Sequence, residues 1–302
     1  MRVTEEVFLR DVTQAAGPEG VVERLVVDGD PRRPARIHAL FASPGDAHSR
    51  ATIAFLHGKG GAGREFRCDA VRALREGFNV LVPELRAHAP STGDLISYGY
   101  HESIDLSLLL SAAASRFGLD PAWLGIDGCS MGSVIALKHA AETQAVRGLW
   151  LQSPFGDLPR MALHYLHRAT GLPQALLSLP ARLVLASVKR STGIPLEELD
   201  PAVLAPRVRC PVTVIHGEDD TLVPLAFVPR LYEALPEPKD LWILPRCGHC
   251  HHVDEPQALH ARVYAERWTR FFRAALDRDP AQRAGSVTPV RGSRTPSRRR
   301  PS

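Results

Sequence analysis

Apolar positions along this chain follow two rhythms. The opening segments "VVERLVVDG" (Val21–Gly29) and "ARIHALFASPG" (Ala35–Gly45) alternate or run apolar around a Gly/Pro/Asp-rich turn, which predicts a β-hairpin. Short continuous apolar runs follow in "ATIAFLHGKGGAG" (Ala51–Gly63), "FNVLVPELR", "WLGIDG", "VRGLWLQSP", "CPVTVIHGEDD" and "DLWILPRCGH". Bounded by Gly, Pro and Asp, they predict buried strands. Between and after them, "REFRCDAVRALREG", "HESIDLSLLLSAAASRFG", "SMGSVIALKHAAE" and "QALHARVYAERWTRFFRAAL" carry apolar residues at helical spacing. Strands alternating with helices predict an α/β fold, with a mostly parallel central sheet and helices on both faces.

One stretch breaks the alternation. From Phe155 to about Pro206 the chain reads as several short apolar helices punctuated by Pro and Gly, which predicts a helical cap insertion over one end of the sheet. Within it, Leu172, Leu176, Leu179 and Leu183 fall at near-helical spacing, interrupted by Pro180. With few charges to solvate them, these leucines are expected to pack over the carboxyl ends of the strands. The resulting organisation is a lead-in over 1–20, one domain over 21–280 with the cap at about 155–206, and an Arg/Pro/Ser-rich tail over 281–302 expected to be disordered.

Composition changes this picture little. The 302 residues are 44% hydrophobic, ample for a core, and the net charge is +4. Six arginines and no acid lie in the tail, so removing them turns +4 into −2 and leaves a nearly neutral body. A basic tail could bind nucleic acid, but no aromatics are interleaved with it, so no nucleic-acid partner is expected. Five cysteines, an odd and low number, argue against a disulfide framework. Cys129 reads as a packed small residue. The first residues carry acids early and no apolar core, so no secretory signal is expected. The run Leu172–Val188 is short for a membrane span, holds two prolines and places Arg182 centrally. A cytoplasmic protein without a membrane span is the expectation.

Candidate chemistry begins at "LGIDGCSMGSVIAL" (Leu124–Leu137), where Gly128 and Gly132 bracket Ser130. Gly-x-Ser-x-Gly alone arises by composition in about one chain in ten of this length. Here, however, it joins a buried strand directly to a helix. So sharp a turn crowds its neighbours and needs small residues two positions to either side of the serine. In an open parallel sheet, ligands bind outside the carboxyl ends of the strands, where Ser130 sits. A serine hydroxyl needs a base to take its proton, and the base needs a group to hold its tautomer. Both are available at later strand ends, in "HGEDDTLVP" and "RCGHCHHVDEP", in the chain order Ser, Asp, His.

Taken together, "HGKGG", "GCSMG", "HGEDDTLVP" and "CGH" resemble the α/β-hydrolase superfamily, in its prolyl-oligopeptidase-like and serine-aminopeptidase-like branch, over about Val21–Leu276. The segment "ELRAHAPSTGDLISYGYHESIDL" resembles that family's Arg-Gly-His-Gly-x-Ser segment and the Gly…Glu…Asp run after it, with Ala87 and Ala89 where the family has glycines. The resemblance implies an α/β-hydrolase fold with Ser130 as nucleophile, Asp220 as acid and His249 as base. Backbone N–H groups of Met131 and Lys59 would form the oxyanion hole. Asp219 is the neighbouring alternative to Asp220, and Asp157 a backup acid whose simpler role is a helix N-cap. His57 is expected to pack structurally. No cofactor is implied. The Cys247, His249, Cys250, His251, His252 cluster could suggest a metal, but it lies on one short loop without a second pair, so no metal is expected.

The function expected is hydrolysis of an ester, thioester or amide of a small-molecule acyl substrate, with a carboxylic ester first. A small aminopeptidase-like enzyme is the alternative, and a non-catalytic binding protein on the same fold the third.

Overall fold

The opening hairpin forms as its pattern predicts. Strand β1 (Val21–Asp28) pairs antiparallel with β2 (Arg36–Ser43), from Val21 opposite Ser43 to Asp28 opposite Arg36. The structure is a computed structural model and describes residues 3–47, 50–250 and 259–277. The tail expected over 281–302 lies outside the described residues, as do His251 and His252.

Six further strands complete one eight-stranded sheet: β3 (Thr52–Leu56), β4 (Asn79–Pro83), β5 (Leu124–Cys129), β6 (Val146–Gln152), β7 (Val212–Gly217) and β8 (Lys239–Leu244). Their order is β1-β2-β4-β3-β5-β6-β7-β8. β2 meets β4 antiparallel, and every pair from β4 to β8 is parallel. Every residue of β3, β4 and β7 is buried. That explains why these strands read as continuous apolar runs rather than alternating ones.

Helices cover both faces. On one side α3 (Glu102–Phe117) and α4 (Met131–Thr143) pack Leu106, Leu109, Ile135 and Ala136 against Ile126 and Leu149. On the other, α1 (Glu5–Ala16), α2 (Arg67–Arg75) and α9 (Ala261–Ala275) bring Val12, Leu74, Trp268 and Phe272 onto Phe55 and Trp150. α1 lies in the stretch expected to be only a lead-in. Thr4 caps it by accepting the Val7 N–H at 3.3 Å, and Phe8, Val12 and Ala16 form its single buried stripe.

The connection from β6 to β7 holds α5 (Leu158–Thr170), α6 (Gln174–Thr192) and the single turn α7 (Pro201–Leu204); α8 (Val228–Ala234) follows β7. α5 and α6 are bent 120° from each other, and no single described helix is long and apolar enough to cross a membrane. The leucines expected to pack over the sheet do not. Leu172, Leu176, Leu179 and Leu183 are exposed, whereas Leu177 and Ala181 are buried and Leu185 half-buried. At 3.6 residues per turn those two sets lie on opposite sides of α6. Spacing gave the stripe but not which side faced inward.

Candidate active site

Four strand ends, those of β3, β5, β7 and β8, converge on one apolar cavity of about 700 Å³. Ser130 enters it from the turn between β5 and α4, with φ 54° and ψ −112°. Such a conformation costs energy for a residue with a side chain, so its surroundings must hold it. Two glycines make the turn possible. A Cβ on Gly132 would overlap the Leu56 carbonyl, and one on Gly128 would lie 2.5 Å from the Gly132 oxygen. The Ser130 N–H donates to the Gln152 carbonyl at 2.7 Å, and the Ser133 hydroxyl ties Gly128 and Gln152 together at 2.6 and 2.9 Å. Met131 is the first residue of α4, so its N–H has no acceptor inside the helix.

Asp220 follows β7 in a tight turn. One carboxylate oxygen accepts the N–H groups of Leu222 and Val223 at 2.9 and 2.8 Å, and the other accepts His249 Nδ1–H at 2.7 Å. A carboxylate partner fixes the proton on Nδ1 and leaves Nε2 as the free ring nitrogen. Burial raises the Asp220 pKa, but the His249 and Val223 hydrogen bonds and the nearby imidazoles outweigh it and hold the carboxyl below its usual range. Gly217 permits this approach, because a Cβ there would overlap the Cys247 and Gly248 carbonyls of the loop that carries His249. His216 lies 3.4 Å from Asp220 and donates Nε2–H to the Val223 carbonyl at 2.8 Å. Among the described residues no hydrogen bond joins the Ser130 hydroxyl to His249, although both line the cavity. Contacts of this kind often close only in the substrate complex.

The alternatives fall elsewhere. Asp219 has an exposed side chain, and its N–H donates to the Cys247 carbonyl at 2.8 Å. Asp157 caps α5, accepting the Arg160 N–H at 2.8 Å. His57 is fully buried, accepts the Leu85 N–H on Nε2 at 3.0 Å, and burial pulls its pKa down to about 4.

After β3, the Gly60 N–H donates to His88 Nε2 at 2.9 Å and the Gly61 N–H to the Gly58 carbonyl at 3.0 Å. Among the described residues the Lys59 N–H has no acceptor, which leaves it free to serve a ligand beside Ser130. In the loop behind this turn, Ala87 and Ala89 stand where the resembled family has glycines. Ala87 takes φ 59°, a left-handed conformation a glycine would adopt at less cost. Arg86, fully buried, holds both Asp105 oxygens at 2.6 and 2.8 Å, and Glu102 accepts the Ser97 and Gly99 N–H groups at 2.7 and 2.9 Å. The Arg, Glu and Asp of that segment thus build the loop rather than touch the cavity.

The cysteine expectation needs correcting. Cys129 is not simply a packed small residue: it forms a disulfide with Cys250 across 121 residues. The bond ties the neighbour of Ser130 to the neighbour of His249. Its sequence signal was adjacency, because bringing Ser130 and His249 together brings positions 129 and 250 together as well. In this bond Cys250 is no thiolate ligand, and Cys247 stays a free thiol whose pKa burial pushes up. Gln152, whose carbonyl receives the Ser130 N–H, had no signal beyond its place at the end of a strand.

Comparison with known proteins gives a consistent result. Residues 53–262 match the model of the alpha/beta hydrolase family. The chain is 30% identical over 175 residues to YqkD of Bacillus subtilis, a match spanning 57% of this chain and 56% of that protein. It is 28% identical over 232 residues to Rv2307c of Mycobacterium tuberculosis, spanning 72% and 73%. Among solved structures, the Pyrococcus furiosus esterase Pf2001 superposes with a TM-score of 0.66 at 20% identity, covering 92% of this chain and 96% of the esterase.

Proposed function

We propose, from the premise that this chain belongs to the alpha/beta hydrolase family, that it is a serine hydrolase acting on carboxylic esters with an apolar acyl group. The observation that carries the reading is the 2.7 Å Asp220–His249 pair beside the strained Ser130 in one cavity. A base with a fixed tautomer near an exposed hydroxyl is the arrangement an acyl transfer needs.

In this reading, His249 Nε2 takes the Ser130 proton as the hydroxyl oxygen attacks the substrate carbonyl. The Met131 and Lys59 N–H groups receive the negative charge that develops on the carbonyl oxygen of the substrate. The tetrahedral intermediate collapses, the alcohol leaves with the proton from His249, and the acyl group stays on Ser130. Water, deprotonated by His249, then releases the acid and restores the serine. Asp220 keeps its charge throughout and stabilises the imidazolium. The residues alone account for each proton.

The lining supports the acyl preference. Phe155, Met161, Val188, Leu196 and Val223 face the cavity from the cap and strand ends, and Glu65 is the one carboxylate among its described lining residues. A panel of p-nitrophenyl esters from two to twelve carbons, set beside aminoacyl arylamides, tests the reading. We expect medium-chain esters to be hydrolysed and Ser130→Ala to lose that activity while its melting curve is unchanged. Faster arylamide than ester turnover would move the assignment to a peptidase, and full activity in Ser130→Ala would remove it.

A further inference from the structure

The cap helix α6 turns its apolar side the wrong way for a helix of a protein surrounded only by water. Leu177 and Ala181 face the fold, while Leu176, Leu179 and Leu183 are 66, 63 and 61% exposed on the far side. Leu172, just before α6, is 47% exposed as well. A contiguous apolar patch of this kind on a monomer marks an interaction surface. The charges around it have one sign. From 158 to 192 the chain carries Arg160, Arg168, Arg182, Lys189 and Arg190 and no Asp or Glu. Arg160 and Arg168 are turned back onto the Ala226 and Thr221 carbonyls, and Lys189 pairs with Glu197. Arg182 and Arg190 are exposed and have no ion pair among the described residues.

We infer that the outward face of α6 docks on an anionic lipid surface, lying flat in the headgroup region. Three outward leucines supply the apolar insertion, and the unpaired arginines beside them match phosphate charge, as interfacial helices do. A second copy of the chain fits less well. A two-fold contact through α6 would set its unpaired arginines against one another with no acid to meet them. The cavity lies on the other side of the same helix, lined there by Leu185 and Val188. The inference stands on this surface alone and does not require Ser130 to be the nucleophile.

Vesicle flotation of the full chain tests it, with phosphatidylcholine vesicles compared with mixed phosphatidylglycerol–phosphatidylcholine vesicles. The expected result is binding to the mixed vesicles that weakens with salt and is equal for wild type and Ser130→Ala. Replacing Leu176, Leu179 and Leu183 together by Asp should reduce that binding by about tenfold or more, with the melting curve and short-ester turnover unchanged. Arg182→Gln with Arg190→Gln should erase the preference for phosphatidylglycerol. Binding that survives the leucine replacement would belong to the Arg-rich tail and would overturn the proposal. So would a dimer by light scattering that the leucine replacement dissolves, and so would no binding to either vesicle.

Discussion

α4 and α6 are both helices rich in apolar residues, yet they sit in the molecule in opposite ways. Eleven of the 13 residues of α4 are buried, whereas only two of the 19 in α6 are. α4 begins directly after Ser130 and is gripped on all sides by the sheet, α3 and the base of the cap. α6 rests on one narrow stripe and offers the rest of its surface outward. The contrast separates two requirements of the proposed enzyme. Reacting groups must be held to within fractions of an ångström, which a close-packed interior provides. Recognition of a greasy substrate or surface needs exposed apolar area, which such an interior cannot offer. The disulfide from Cys129 to Cys250 belongs to the first region.

If the tightly held region is where the chemistry occurs, its substitutions should cost most. Asp220→Asn is expected to lower kcat by ~10⁴, the loss seen when the orienting carboxylate of another triad is made neutral. Asp219→Asn, on an exposed side chain, should cost less than about tenfold. Steady-state kinetics on one ester decides between them, and equal losses would detach the acid from Asp220.

Gly132→Ala is expected to destabilise the fold by about 3 kcal/mol or more, because its Cβ would meet backbone that cannot yield. Leu179→Ala, on the outward face of α6, should change stability by less than about 0.5 kcal/mol. Urea unfolding of both variants sharpens the comparison. A cost at Leu179 matching that at Gly132 would break it.

On the inner side of the cap, Leu185→Asp or Val188→Asp should raise KM for a ten-carbon ester by about tenfold, with little change for a two-carbon ester. The outward Leu176→Asp and Leu179→Asp should leave this chain-length profile alone when the ester is monomeric. A profile that moves with the outward leucines instead would reverse the orientation of α6.

Stability should also slope with pH. Burial pushes Glu84 up to about 7 from 4.5, and the Gly63 N–H donates to its carboxyl group. An unfolded chain releases this proton near 4.5 and the folded chain near 7. The stability it contributes is therefore full below 4.5 and falls as the pH climbs to about 7. His57 and His139 act with the opposite sign. Burial holds both near 4, so their contribution is present above 6.5 and is lost as the pH falls toward 4. Melting temperatures of wild type and Glu84→Gln between pH 4.5 and 7.5 should diverge, with the variant gaining on wild type as the pH rises. Parallel curves would mean Glu84 is ionised throughout.

The two regions also differ in how far sequence anticipates them. In the buried region, local pattern and final position coincide. Ser130 lies between the two glycines its turn requires, and the runs at Leu124–Asp127 and Val212–Gly217 are apolar because both faces of each strand are covered. Asp220 and His249 meet because each follows a strand that ends at the same edge of the sheet. In the cap, periodicity fixes a helix but not its rotation, which depends on a neighbour distant in sequence. Leu176 and Leu179 therefore looked like pocket residues and are exposed. The Cys129–Cys250 bond was hidden for a related reason, since counting cysteines carries no information about which loops converge. The segment expected as a lead-in holds α1, which packs on the fold through Phe8, Val12 and Ala16.

The central claim is that Ser130 is the residue that takes the acyl group. Treating the full chain with a fluorophosphonate and mapping the adduct by peptide mass spectrometry tests it most directly. The account predicts one adduct per chain, on the hydroxyl of Ser130, formed far more slowly in Asp220→Asn. An adduct on any other residue, or no adduct on a folded chain, would contradict it.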